Sequence, residues 1–545
     1  MKKWSKKSVR AIATILSVVF ATAPIAACGG GGGDSSESLR ADATPIKVAF
    51  YNGGLGAEWF NQLKIAFEAK HPEYQVFPRP GVSNMDSTAV LDNFDTYDAD
   101  LFFIDYMGSA DMAQYRSKEY FADISKYVKT DTIEGENKKI WDKIAPAIKD
   151  YYNIDNKVDC LPWYQGSYNL IYDVALFKAK SFYVDAQGNW NNGSSKSLGQ
   201  DGVAGTFDDG LPETVSDFFR LMDRMVSQGV TPLTMYGSGA YYFSSFLTNL
   251  FADYEGYNDF MLNYVLEGTD SDFGTVTLED AYRLKNGQKG KEFALQFAQR
   301  MMSNTEYYSS SCFQTSHDNY AAQTEFLISE EFSKVDSHAE PIAMLVDGPW
   351  WEREAQMTMS DMVDGYKNNY YAYGTREFGV MPMPEADDGS SAPGNTIACT
   401  SGRSVIFMNN LSEYKDAAGE FLKFCMSEEG LRIATAYSGV MRPYDYTMTD
   451  TYLSKMTPFG RSVYNYNKGT QVVFEEVPVS EFLRNEGSAY CSYLYTWVSS
   501  ADTTANVAQY FLKSDSTVAA YLAGMAVDQT IWATKVEEYR FRVGE

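Results

Sequence analysis

Histidine is scarce in this chain of 545 residues, cysteine follows no pattern, and the common catalytic signatures are missing. A zinc site or a Ser-His-Asp triad would have to draw on His71, His317 or His338, and neither GxSxG nor HExxH occurs. Asn52-Gly53-Gly54-Leu55-Gly56 sits between a predicted strand and a predicted helix, where phosphate loops lie. It has neither GxGxxG spacing nor a Lys-Ser/Thr ending, so it reads as an ordinary βα turn. Cysteines stand at 28, 160, 312, 399, 425 and 491, with no CxxC and no spacing that makes a disulfide framework. The five beyond Cys28 are therefore expected as buried free thiols. Positive charge is also short: 46 Lys and Arg against 72 Asp and Glu give a formal net charge of −26. So acidic a surface excludes nucleic acid, whose phosphates need Lys and Arg, and gives no electrostatic docking on anionic lipid. After the first 27 residues no apolar run is long enough to span a bilayer.

What is present begins with an export signal. Lys2, Lys3, Lys6, Lys7 and Arg10 precede an apolar run from Ala11 to Phe20, and small residues lead to Ile25-Ala26-Ala27-Cys28. A charged start, a short apolar run and small residues before a cut point form a removable leader, not a span. Cys28 behind two alanines resembles the bacterial lipobox, in which the cysteine is acylated and the chain is cut before it. Ile25 departs from the leucine usual in that motif. Gly29–Gly33 and Asp34-Ser35-Ser36-Glu37-Ser38 follow, a stretch that buries no apolar surface and reads as a flexible tether. These residues predict a leader over 1–27, a lipid-anchored tether over 28–45, and a location on the outer face of a bacterial cytoplasmic membrane. Loss of the leader's five positive charges takes the net charge to −31.

The remaining length exceeds what one core usually supports, so two domains are expected. Ile46–Tyr51 reads as a strand, Trp59–Lys70 as a helix stopped at His71-Pro72, Tyr74–Phe77 as a strand, and Ala99–Asp105 as an apolar strand ending in a carboxylate. Strand–helix alternation of this kind predicts an α/β fold with a mostly parallel sheet. The grammar recurs at Cys160–Tyr164, Tyr168–Tyr172, helix Val215–Ser227, Thr231–Tyr236, Ile342–Asp347, Phe378–Pro384 and helix Ala417–Met426.

These segments, in this order, carry a family resemblance. The pieces are Phe67–Tyr74, Ala99–Phe103, Leu161–Tyr164 through Leu170–Asp173, Ile342–Trp350, Phe378–Pro382 and Phe421–Gly430. The chain resembles the extracellular solute-binding proteins of ABC importers, in the sugar-binding, maltose-binding-protein-like group. The resemblance runs from residue 46 to about 445 and is weaker beyond. It implies a two-lobed periplasmic-binding-protein-like α/β fold of class II type, with hinge strands between lobes. By that analogy one lobe takes 46–122 and 378–430, and the other takes 123–377 and 431–545. It also implies capture of a solute, a carbohydrate such as an oligosaccharide, by a monomer that hands it to separate permease and ATPase chains.

Sugar binding needs aromatic faces for ring C–H groups and polar side chains for hydroxyls. Aromatics make up 15% of the chain, and several stand at strand ends beside turns, where open α/β sheets place ligands. Trp350, after Asp347-Gly348-Pro349, matches a family position that stacks on sugar. Trp163 and Tyr164 precede a hinge-type strand, and Trp59 and Asp105 would contribute from the first lobe. Tyr236, Tyr242 and Arg442 complete the candidate set, each with packing as the competing role. Asp201, Asp208 and Asp209, closely spaced among glycines, supply hard oxygen ligands that suit calcium, although the loop lacks the EF-hand's terminal glutamate and a solvated loop is the favoured reading. A surface-anchored glycosidase and a non-transport glycan-binding module remain open beside the binding-protein reading.

Overall fold

The computed structural model describes residues 38–79, 87–92, 94–239, 241–399, 404–475, 477–486 and 506–544. Cys28, the expected lipid attachment point, and Cys491 lie outside the described residues.

Two sheets organise the molecule. The first runs, strand by strand, Tyr74–Pro78, Thr44–Phe50, Leu101–Ile104, Val405–Met408 and Cys160–Pro162. Its first three strands are parallel and Val405–Met408 runs antiparallel to both neighbours, with Ile406 opposite Phe103 and Leu161. Leu101–Ile104 is wholly buried, which is why it reads as an unbroken apolar run. Helix Glu58–Lys70 covers this sheet with Trp59, Phe60, Leu63 and Phe67 on its buried face. Glu58 in its first turn and Lys70 in its last complement the helix dipole.

The second sheet is ordered Phe378–Met381, Asn169–Asp173, Ile342–Asp347, Thr231–Met235. Asn169–Asp173 is antiparallel to both neighbours, while Ile342–Asp347 and Thr231–Met235 are parallel. Helix Val215–Ser227 packs here through Phe218, Leu221, Met222 and Met225, its start capped by the Thr214 side chain accepting from the Asp217 N–H. The long helix Tyr242–Val265 is broken at Gly256, whose backbone is non-helical at φ 77°. A Cβ there would lie 2.7 Å from that of Ala392, so the kink needs glycine twice over. Asn249 and Asp253 of this helix accept the backbone N–H groups of Ala398 and Thr396 and so hold the short strand Thr396–Cys399.

Each sheet has its own core, one around Phe50, Trp59, Phe103 and Phe407, the other around Leu170, Met222, Phe246 and Val346. Strand membership corrects the expected lobe boundaries in two places. Phe378–Met381, expected in the first lobe, pairs with Asn169–Asp173 in the second sheet. Cys160–Pro162, expected in the second, pairs with Val405–Met408 in the first, and Ile124, Ile148 and Val158 join that core. The carboxy-terminal segment, where the family resemblance fades, packs on the second core through Phe482, Tyr510, Tyr521 and Trp532. There the Trp532 indole N–H donates to the Leu278 carbonyl at 2.8 Å. Cys160, Cys312, Cys399 and Cys425 are buried free thiols.

Candidate ligand-binding site

The ends of three strands converge where the two lobes meet. Strand Ile342–Asp347 ends in Asp347, and the turn Gly348-Pro349 carries the chain to Trp350. From the first lobe, Thr44–Phe50 delivers Tyr51 and Leu101–Ile104 delivers Asp105. Two glycines make the approach possible. A Cβ on Gly54 would lie 2.8 Å from Glu354 Oε1 and 2.9 Å from Trp350 Cβ. One on Gly166, in the connection between the sheets, would lie 2.6 Å from the Trp350 ring and 3.1 Å from Pro349 Cγ. Backbone from the first lobe and from the connecting segment is thereby pressed against the Trp350 turn.

Trp350, partly exposed, begins a run of aromatic rings. It meets Tyr168 edge to face at 5.3 Å, Tyr168 lies 4.7 Å from Tyr242, and Tyr242 lies 5.5 Å from Tyr236. Tyr320 stands at the same place with 56% of its surface exposed, near enough to Tyr51 and Tyr242 to act on their ionisation. Carboxyl groups lie beside the rings. The Tyr164 hydroxyl donates to Asp105. One Gln323 amide nitrogen donates both to Asp347 Oδ2 at 2.9 Å and to Glu354 Oε2 at 2.7 Å, and Asp347 Oδ1 accepts the Gly348 N–H at 2.7 Å.

The electrostatics bind these groups into one site. Burial pushes the Asp347 carboxyl well above the usual range, and the Glu354 charge pushes it further. Glu354 is raised by burial and by Asp105, a group of the other lobe. Burial and then the charge of Asp105 raise the Tyr51 phenol. Tyr168 and Tyr242 are raised likewise, by burial and then by Asp347. Such a patch offers apolar ring faces next to strong hydrogen-bond acceptors, the two demands of a polyhydroxylated ring.

Of the sequence candidates, Trp350, Tyr242, Tyr236, Asp105 and Tyr164 come together here. Trp59, Trp163 and Arg442 do not, and this corrects the expectation for them. Trp59 is 0% exposed and Trp163 2%, their rings 4.3 Å apart inside the first core. The Arg442 guanidinium lies 4.1 Å over the Trp163 ring and donates to the carbonyls of Trp163 and Ala434 and to Ser438 Oγ. Burial lowers its pKa to about 10. Its hydrogen-bonding capacity goes to the core. Tyr51, Tyr168, Gln323 and Glu354 also stand here, outside the sequence candidates: Tyr168 opens the strand segment Tyr168–Tyr172, while Gln323 and Glu354 sit on helical stretches that carry no motif.

The aspartate loop satisfies itself. Thr206 Oγ1 donates to Asp208 Oδ1 at 2.8 Å and lies 3.3 Å from Asp201 Oδ1 and 3.4 Å from Asp209 Oδ1. The Asp201 and Gly205 N–H groups donate to Asp208 and Asp209. Among the described residues no group of three or more His, Cys, Asp or Glu is placed to hold a metal ion.

Comparison with known proteins agrees with this architecture. Among solved structures the chain is similar to the solute-binding protein RafE in complex with raffinose, at 13% identity and a TM-score of 0.51, covering 90% of this chain and 100% of that one. The apo form of RafE from Streptococcus pneumoniae gives 13% identity and a TM-score of 0.50, covering 91% and 99%. A probable secreted solute-binding lipoprotein from Streptomyces coelicolor gives 11% and 0.51, covering 89% and 98%. These likenesses establish the two-lobed fold. A search of curated proteins by sequence finds no match. The sequence profile of the bacterial extracellular solute-binding proteins matches residues 53–431, most of the chain and every strand of both sheets but Thr44–Phe50. The protein belongs to the bacterial extracellular solute-binding protein family.

Proposed function

We propose that the protein captures a carbohydrate, an oligosaccharide, between its two lobes and delivers it to the permease of an ABC importer. In this reading it is held on the outer face of the cytoplasmic membrane by acylated Cys28, and it binds without chemical conversion. The observation that carries the proposal is the run of rings from Trp350 to Tyr236 set beside carboxyls of both lobes. The likeness to RafE, solved with raffinose, supports the ligand class. Ligand touching both lobes favours the closed arrangement over the open one, and that difference lets the importer read occupancy.

A thermal-shift screen against mono- and oligosaccharides tests the reading. A sugar at a hundredfold excess over its Kd adds about 2.7 kcal/mol to the stability of the folded state. A clear shift with one sugar family names the ligand. A flat response to every sugar, with a shift from spermidine, would transfer the site to polyamines. Reducing-sugar release by the pure protein would replace binding by hydrolysis.

A further inference from the structure

Two buried carboxamides flank Asp347, and each has its N–H groups committed and its oxygen open. Gln323, in helix Asn319–Ser333, is 1% exposed, and its nitrogen donates to Asp347 Oδ2 at 2.9 Å and to Glu354 Oε2 at 2.7 Å. Asn169 opens strand Asn169–Asp173 and is 6% exposed. Its nitrogen donates to the Ser167 carbonyl at 2.9 Å and to Ser167 Oγ at 3.0 Å. Neither Gln323 Oε1 nor Asn169 Oδ1 has a hydrogen-bond partner among the described residues. Turning either amide over would take the donor from the Asp347 and Glu354 carboxyls, or from the Ser167 carbonyl. The sheet brings the two residues together. Asn169 stands opposite Asp347 in the antiparallel pair, so their side chains share a face. Ile171 and Leu345, paired two residues further in, lie on that face and share a core with Phe326 of the helix that carries Gln323. Buried acceptors are almost always satisfied, because an open one has lost its hydration. Two such oxygens at adjoining strand ends, beside the Trp350 turn, mark a place prepared for donors.

We infer that Gln323 and Asn169 read the solute's hydroxyl groups, each accepting a hydrogen bond from one of them through its side-chain oxygen. The committed N–H groups fix the direction of each oxygen before the solute arrives, which lowers the ordering cost of binding. A ligand atom bonded to Gln323 Oε1 lies within about 5 Å of the nitrogen that holds Asp347 and Glu354, and so stays beside the Trp350 turn. The first lobe covers this place: a Cβ on Gly54 would lie 2.8 Å from Glu354 Oε1. The solute reaches the two oxygens while the lobes are apart and satisfies them as the lobes close. Ethers, carbonyls and fluorines in the same positions cannot donate, so the pair selects free hydroxyls over masked or missing ones. This inference rests on the proposed carbohydrate site and names residues that recognise its ligand.

The test uses the full chain and matched sugar sets in titration calorimetry. Each set is an oligosaccharide built on glucose, galactose or N-acetylglucosamine, with its deoxy and deoxyfluoro counterparts at every hydroxyl. For whichever scaffold binds, at least one position is expected at which both counterparts bind at least about tenfold more weakly, because a buried acceptor is left open. Fluorine keeps the size and polarity of the hydroxyl and lacks only its proton. Gln323→Met and, separately, Asn169→Leu are each expected to abolish the penalty at one such position, so that parent and deoxy sugar bind alike. A penalty at no position overturns the inference and leaves carbohydrate capture standing. Penalties that survive both variants also overturn it, as does a variant that weakens every sugar by the same factor at unchanged selectivity. A crystal structure of the parent protein with the bound sugar gives a reading that needs no variant. A sugar oxygen within about 3.2 Å of Gln323 Oε1 or Asn169 Oδ1 is expected, and water at both would overturn the assignment. No binding by any member of any set removes the carbohydrate reading itself, and this inference with it.

Discussion

Trp350 can face a ligand because its surroundings are kept small. Gly166 lies against one part of its ring and Gly54 against its Cβ. Trp350→Ala is expected to weaken sugar binding by at least about 1 kcal/mol, the low end for a stacked aromatic, with stability little changed because the ring is only partly buried. An unchanged dissociation constant in calorimetry would take Trp350 out of the site. Two residues on, Glu352 poses a different question. It is 3% exposed, its Oε2 accepts the Thr457 hydroxyl at 2.6 Å, and its Oε1 has no partner. Burial raises its pKa from 4.5 to about 7. A raised carboxyl gives stability that is whole below the unfolded pKa and lost as pH rises through the folded one. Glu352→Gln should therefore match the parent near pH 4.5 and exceed it at pH 8, by roughly 2–3 kcal/mol. Urea midpoints at the two pH values check this, and equal differences at both would show that Glu352 is not held protonated. At the aspartate loop, where Thr206 and backbone amides already serve the carboxylates, chelator is expected to leave the melting temperature unchanged. A fall would assign a cation to Asp201, Asp208 and Asp209.

Among the elements, the short helix Trp351–Glu354 faces both lobes. Trp351 is buried against Phe378 and Phe459 on the second-lobe side. Arg353 reaches the carbonyl of Tyr437, in helix Glu428–Ser438, which packs on the first-lobe helix Glu58–Lys70. A charged donor on a carbonyl is worth about 1.5–3 kcal/mol, and this one joins the lobes directly. Arg353→Ala is expected to shift the ligand-free protein toward the open form and to weaken ligand affinity without altering the site's own contacts. Small-angle scattering would show the change as a larger radius of gyration that returns toward the parent value at saturating ligand. An unchanged radius would mean that the latch is not Arg353.

At the scale of the whole molecule, the carboxy-terminal helices behave as part of the second lobe. Trp532 is 0% exposed, packs on Phe482 at 5.1 Å and bonds the Leu278 carbonyl. Asn506 donates to the carbonyls of Gly237 and Gly239, in the loop that follows Tyr236. Trp532→Ala is expected to cost about 3–5 kcal/mol, as for other buried tryptophans. Because each sheet carries its own core, calorimetry should show the loss in the transition of the second lobe and leave the first near its parent temperature. A uniform shift of one transition would show that the lobes unfold together.

Much of this was written locally. The apolar run Ile342–Asp347, the helix Val215–Ser227 with its Thr214 cap, and the strand ends bearing Asp105 and Trp350 follow from periodicity, capping and turn chemistry. Those effects act over a few residues, so they are legible in order along the chain. The choice of sheet was not. Phe378–Met381 and Val405–Met408 have the same apolar character, and only long-range pairing sends one to Asn169–Asp173 and the other to Leu101–Ile104. Nor could local pattern separate Trp163, sealed under Arg442, from Trp350, left facing the junction, since both are tryptophans beside a strand end. Gln323, on a helix and distant in sequence from the first lobe, enters the site only because packing brings it between Asp347 and Glu354. By itself the sequence determined most of the elements and the class of fold. Tertiary structure decided which aromatics are sealed in the core and which face the junction, because burial depends on what the rest of the chain lays across a residue.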